Sequence, residues 1–232
     1  MLLADGLWFE FGGRPWVLYL MALKPCRGNE AIFLDPLLLP GKEGASRWRQ
    51  ALATIPPRAM RRIQAVVVDN LPGMRRLANQ NRWVLQLCHF HLLLKLQALR
   101  RGVRYALRGG LVREEIHQLI RSALELPEGK RLSRTLEQLN RLSHGDCGTQ
   151  RVQTTVREFL NGPQFYRSYL THPNLGLPRT TNSVESMCRL LRELFRSSRA
   201  GSNPGSVLLW ATALLRLRPR VTFNGHSFNR KT

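Results

Sequence analysis

Three carboxylates, Asp5, Asp69 and Glu185, stand 64 and then 116 residues apart in a chain of 232 that holds 15 acidic residues against 36 Lys and Arg. Acids of this kind, brought together, can hold two Mg²⁺ or Mn²⁺ ions roughly 4 Å apart, because hard cations take oxygen ligands. One ion would activate the attacking oxygen and the other would stabilise the leaving oxygen in an in-line attack on phosphorus. Each acid also has a purely structural explanation. Asp69 can cap the loop that Asn70, Pro72 and Gly73 announce, and Asp5-Gly6 is ordinary turn chemistry. Asn182 to Glu185 reads as a capping box, with Glu185 also placed to pair with Arg189 one turn on.

A second set of chemically capable residues is Cys88 and His91, three apart after an apolar run. With His144 and Cys147 they would make four soft ligands for Zn²⁺. The two pairs fall in different parts of the chain, so packing and hydrogen bonding of Cys88 and His91 where sheet, helix and helical segment meet is the simpler reading.

The elements that must position these residues follow from periodicity. Ala65 to Val68 is too short and too β-branched for a helix, so Ile63 to Asp69 reads as a buried strand with Asp69 at its carboxyl end, where open α/β sheets place ligands. Leu2 to Asp5 and Leu7 to Phe11 are apolar and aromatic, Gly12-Gly13 predicts a hairpin turn, and Trp16 to Leu23 returns as a second strand. Ala31 to Leu34 is a candidate third strand. Helices are expected over Ser46 to Ala53, Met74 to Gln80 and His91 to Arg101, with a strand at Trp83 to Leu87. Three strands, then helix, strand, helix, strand, helix is the ribonuclease H-like order, an α/β fold with a mixed sheet flanked by helices.

From residue 102 to 178 the texture changes. Leu111, Ile116, Leu119, Ile120, Leu124, Leu132, Leu136, Leu139 and Leu142 recur at helical spacing, so this stretch reads as an all-helical insertion before the last acid. The expected organisation is thus 1–101 and 179–232 as two parts of one core, with 102–178 inserted. Helices Asn182 to Ser197 and Ser206 to Leu217 close the chain. The first of them sets Asn182, Glu185, Arg189, Arg192 and Arg196 on one face and Val184, Met187, Leu191 and Leu194 on the other.

Composition constrains the partner. A formal charge of +21, with 31 Arg against five Lys, suits a polyanion, and Arg forks match phosphate oxygens. The basic residues are spread along the chain, so the binding surface belongs to the folded body. Trp48, Trp83 and Trp210 are candidates for stacking on bases, with core packing the more ordinary role. No apolar segment has the length of a membrane span, and no leader pattern is present, which makes a cytoplasmic location the expectation. Four scattered cysteines point to free thiols rather than a disulfide framework.

The ordered set Leu3-Ala4-Asp5-Gly6, Val67-Val68-Asp69, Cys88-x-x-His91 and Thr181-Asn182-x-x-Glu185 resembles the Mutator-like transposases and their bacterial insertion-sequence relatives. The resemblance covers nearly the whole chain. It implies that Asp5, Asp69 and Glu185 are the catalytic, metal-holding triad of a DDE transposase, with two Mg²⁺ or Mn²⁺ ions. It makes Cys88, His91 and Asn182 signature residues near the site. By the same resemblance the partners are DNA, as transposon ends and target, and further copies of the chain, with a nucleoid-associated location in a bacterium. Arg189, Arg192, Arg196 and Arg199 are then expected to contact phosphates. Asp5 lies four residues from Met1, so the amino-terminal DNA-binding region of such transposases is not in this sequence, and fraying there would loosen Asp5. Two rivals remain: another metal nuclease of the same fold, and a non-catalytic DNA-binding remnant.

Overall fold

The computed structural model describes residues 1–71, 73–101, 110–144, 150–198 and 201–222. It is an α/β structure built on a mixed sheet with helices on both faces. Strand β1 (Leu2–Phe11) runs uninterrupted through Asp5 and Gly6, so the Asp-Gly pair is not a turn. It turns at Gly12 and Gly13, both at positive φ (55° and 70°), and returns antiparallel as β2 (Arg14–Leu23). Two consecutive left-handed residues give the turn whose twist matches that of the strands, hence the glycines.

Strands β3 (Glu30–Phe33) and β4 (Leu37–Pro40) both pair antiparallel with β2, at its two ends. Helices α1 (Ala45–Ala53) and α2 (Pro57–Met60) lead to β5 (Ala65–Val68), which lies parallel to β1. Helix α3 (Met74–Gln80) connects β5 to β6 (Val84–Leu87), parallel to β5 in turn. A last strand, β7 (Arg220–Thr222), pairs with β3, which completes the order β6-β5-β1-β2-β3-β7. β4 and β7 carry no clear alternation and were not expected from sequence; short edge strands take their structure from the neighbour they pair with.

β5 shows why its sequence is apolar throughout. Val66 and Val68 belong to the core on one face of the sheet, and Ala65 and Val67 to the core on the other. A strand covered on both faces has no polar positions to alternate. The first face also packs the helical segment, α4 (His89–Arg101), α5 (Gly110–Glu125), α6 (Lys130–His144) and α7 (Gln150–Leu160), through Leu92, Ile116, Ile120, Leu124, Leu132, Leu139, Val156 and Phe159. Leu119, Leu136 and Leu142 pack at its margin, and Leu111 lies outside the residues whose side chains are described. Every described element between α4 and residue 175 is helical, including the short α8 (Pro163–Tyr166) and α9 (Ser168–Thr171). The second face is covered by α10 (Asn182–Ser197) and α11 (Pro204–Leu217), with Val184, Cys188, Leu191, Val207, Ala211 and Leu215 buried.

β6, the outer strand on that side, is closed off by side chains rather than by a further strand. Gln86 donates to the carbonyls of Leu87 and Tyr166 (both 2.8 Å) and accepts from the Tyr169 amide (2.9 Å), and the Ser168 hydroxyl donates to the Leu85 carbonyl (2.6 Å). Backbone groups on an edge are thereby satisfied and withheld from another chain. The first residues of β1 are equally well held. The Met1 ammonium donates to the Lys24 carbonyl at 2.6 Å, the Lys24 amide donates back to Met1 at 2.9 Å, and Leu2 and Leu3 pair with β5. The start of the strand that carries Asp5 is not frayed. No helix among the described residues is long and apolar enough to cross a membrane.

Candidate metal site

β5 stops at Val68 while β1 continues, and the space beyond the end of β5 is a cleft of about 380 Å³. Asp5, Asp69 and Glu185 all line it, as do His91, Arg192 and a fourth acid, Glu43. Four of the 15 acids in a chain of charge +21 therefore converge on one cleft.

Glu185 reaches the cleft because its helix is anchored by the Cys88-His89 pair. The Thr181 amide and hydroxyl both donate to the Cys88 thiol (3.3 and 3.4 Å), and the His89 amide donates to the Arg179 carbonyl (2.9 Å). These bonds dock the segment entering α10 onto the end of β6. The expected capping box is not formed: Thr181 is the cap residue, Asn182 is the first helical residue and is exposed, and no side chain caps the helix. Glu185 does not pair with Arg189 either. Its carboxylate lies 3.4 Å from Arg192 and 3.7 Å from His91 Nε2, while Arg189 turns to Glu193 at 3.9 Å. Both structural explanations of Glu185 thus fail, and the side chain is left facing the other acids.

One carboxylate oxygen of Asp5, one of Glu185 and one ring nitrogen of His91 all lie within 4.8 Å of one another. Asp69 lines the same cleft without joining this tight group, and its carboxylate accepts from the Asn70 amide at 2.6 Å, the loop-capping bond expected of an Asp in that setting. Burial, reinforced by a proton shared with Glu185, raises the Asp5 pKa to about 7. Burial alone would lower the pKa of His91; the Cys88 thiol and the charges of Asp69 and Asp5 outweigh it and raise the value to about 9. Without a cation, then, the cleft compensates its acids with protons. Two carboxylates and an imidazole at these separations, with Asp5 and His91 both held above their ordinary pKa values, are a donor set that fits a divalent ion.

Behind Asp5 the Cys188 thiol donates to the second carboxylate oxygen at 3.6 Å, and burial pushes that thiol up, so Cys188 is a neutral donor rather than an ion. Cys26, Cys88 and Cys188 are all free thiols. Cys88 is fully buried and lies outside the metal-capable group; His144 closes α6 against Asn140 and Ser143, and Cys147 falls outside the described residues. Of the arginines expected to meet phosphates, Arg192 lines the cleft, Arg189 and Arg196 are exposed on α10 outside the cleft lining, and Arg199 lies outside the described residues.

Two residues of the site carry little signal in the sequence. Cys188 sits within the apolar face of α10 and reads as core. Glu43 lies in a loop, Gly41-Lys42-Glu43-Gly44, with no periodicity to flag it; the one available signal was a scarce acid in a basic chain. Its carboxylate is clamped by two indoles, accepting from Trp48 Nε1 at 3.1 Å and Trp8 Nε1 at 3.2 Å, and burial raises its pKa. It lies flat against β1 at Gly6, where an added Cβ would meet Glu43 Oε1 at 2.5 Å. Gly6 is thus explained by a close approach and not by turn chemistry. Gly6→Ala is expected to cost about 1–2 kcal/mol, as small overpacking does. The cost should fall sharply in a Glu43→Ala background, a coupling that urea unfolding of the double-mutant cycle reads directly.

No protein-family model matches this chain, and no match was found among curated proteins.

Proposed function

We propose that the chain is a metal-dependent phosphodiester-cleaving enzyme, the ribonuclease H-like catalytic core of a DDE transposase that nicks transposon ends and joins the freed 3′ hydroxyl to target DNA. The observation that carries this reading is the convergence of Asp5, Asp69 and Glu185, remote in sequence, on one cleft of a chain whose charge is +21. The sheet supports it: a long antiparallel β1-β2 hairpin, with β5 and β6 added parallel on the β1 side, is the arrangement expected of such a core.

Asp5 and Glu185, with Asp69 on the same cleft, would hold Mg²⁺ or Mn²⁺, and His91 is placed as an additional ligand. Bound there, the ions supply an activated oxygen nucleophile and stabilise the leaving oxygen. The protein contributes the rest. Cys88 fixes the entry to α10 and hence Glu185, and Cys188 donates to Asp5 and orients it. Arg192, partly exposed beside Glu185, is placed to take a phosphate oxygen of the strand being cut.

The test uses the full chain and a duplex bearing the element's terminal repeat, with Mg²⁺ or Mn²⁺. Nicking followed by joined strand-transfer products is expected, and nicking should vanish in Asp69→Asn while DNA binding survives. Hydrolysis without joining would leave a nuclease in place of a transposase. Binding without nicking in the unaltered chain would remove the enzymatic reading.

A further inference from the structure

Trp8 stands where β1 leaves the core. Its neighbours Leu7 and Ala4 are fully buried, yet Trp8 is 50% exposed and lines the acid cleft. It is also not free to turn away. Its single donor, Nε1, is committed to Glu43, which is fixed in turn by Trp48 and seated against Gly6. Burying a carboxylate is costly, and here that carboxylate orients an indole whose rings remain half in solvent. Leu94, which lines the same cleft, is also exposed, at 46%, and Arg192 stands there too. Of the other tryptophans considered for stacking, Trp48 and Trp83 are buried, and Trp210 sits on α11, outside the cleft lining.

We infer that Trp8 is a stacking platform for one unpaired base of the nucleic-acid strand whose backbone enters the acid cleft. The inference rests on the phosphodiester reading of that cleft and specifies its substrate: a strand locally opened beside the scissile phosphate. The occupant follows from two properties of the site. The charge of +21 selects a polyanion, and a rigid, flat, half-exposed indole beside a polar cleft suits a base, whose π face binds regardless of sequence. An acidic peptide or an anionic lipid would match the charge but brings no flat π face to the indole. The Glu43 bond holds the ring in one orientation, so little side-chain freedom is lost on stacking.

Binding of the full chain, with Ca²⁺ in place of Mg²⁺ to balance the acids of the cleft, to two oligonucleotide duplexes of equal length separates the possibilities, one duplex fully paired and one with a short internal unpaired stretch. The unaltered chain is expected to prefer the unpaired form and to show indole quenching on binding it. Trp8→Ala should lose roughly tenfold in affinity for the unpaired form, the usual scale of one aromatic–base stack, with paired-duplex affinity unchanged. Trp8→Phe should retain part of the preference but lose the quenching, because the other four tryptophans remain and only the reporter at the cleft has gone. If the unaltered chain shows no preference, or if Trp8→Ala weakens both duplexes equally, the stacking role is wrong. These readouts need no catalysis, so a chain that prefers opened DNA yet never nicks would sink the enzymatic reading and leave the stacking role standing.

Discussion

Replacing Asp5 by Asn should abolish metal-dependent nicking, by roughly a thousandfold or more, and at the same time make the metal-free protein more stable. The two effects have one cause. Burial and the nearby Glu185 raise the Asp5 pKa to about 7, so above that pH the folded state holds an ionised carboxylate that it resists. In the unfolded chain the group ionises from its ordinary value of 3.8. Between the two values the folded state binds the extra proton, so stability falls as pH rises, and above the folded value the whole penalty is present. A shift of this size corresponds to at most about 4 kcal/mol, and because Glu185 and His91 relax along with Asp5, a gain of about 2 kcal/mol at pH 8 is expected. Asn keeps the shape and the acceptor for the Gly6 amide, and it carries no charge to bury. Urea unfolding in chelator at pH 8, beside a nicking assay, checks both arms. Loss of nicking together with loss of stability would mean that Asp5 is a structural residue.

Such a trade is what separates an active-site acid from a turn-forming one, and it was hidden in the sequence for a physical reason. Asp5-Gly6 is equally good turn chemistry, and only the uninterrupted β1 ladder, with Asp5 opposite Leu20 and Gly6 opposite Tyr19, rules the turn out. The strands that could be read in advance were those with their own signals. The Ala65–Val68 run betrays a strand covered on both faces, and the apolar stripe of α10 appears over Asn182–Ser197 as expected. β4 and β7 could not be read, since each depends on a partner to which it is not adjacent in sequence.

The site shows the same division. Three acids were legible because each sits at a place with meaning: the end of a buried run, the first strand, the opening turn of a helix. Their company was not. Glu43 contributes from a loop without periodicity, and it matters because two tryptophans, distant by 35 and by five residues, turn their N–H groups to it. The Glu185 partner was misjudged for a related reason. Helix geometry makes Arg189 the natural neighbour, but the tertiary position of His91 and the reach of Arg192 draw the carboxylate away. Local spacing states which pairs can meet, and packing decides which do.

His91 should make the stability of the metal-free protein fall as pH rises from 6.5 to 9. Burial would lower its pKa, but the Cys88 thiol and the carboxylates of Asp69 and Asp5 overcome it and raise the value to about 9, with Glu185 3.7 Å from Nε2 and Glu43 on the same cleft. Below 6.5 the imidazolium is present in both folded and unfolded chains, and its contribution to stability is fully present. Between 6.5 and 9 only the folded chain retains the proton, so the contribution is lost progressively and is gone above the folded value. The full shift corresponds to about 3 kcal/mol, and about 2 kcal/mol is expected after solvent screening at the cleft. Buried His89 runs the other way: burial lowers its pKa to about 4, so its effect is complete by pH 6.5 and does not enter this window. The amino terminus, whose pKa is also lowered by burial, and Asp5, whose pKa is raised to about 7, do titrate within the window. The quantity to measure is therefore the difference between the unaltered chain and His91→Gln, by urea unfolding in chelator across the range. Only the unaltered chain should lose the extra 2 kcal/mol or so, and Mg²⁺ should stabilise it more at pH 9 than at pH 6.5, because the cation then replaces a proton already leaving. Parallel pH profiles for the two proteins would show that His91 does not balance the acids, and with that the case for His91 as a metal ligand would fall as well.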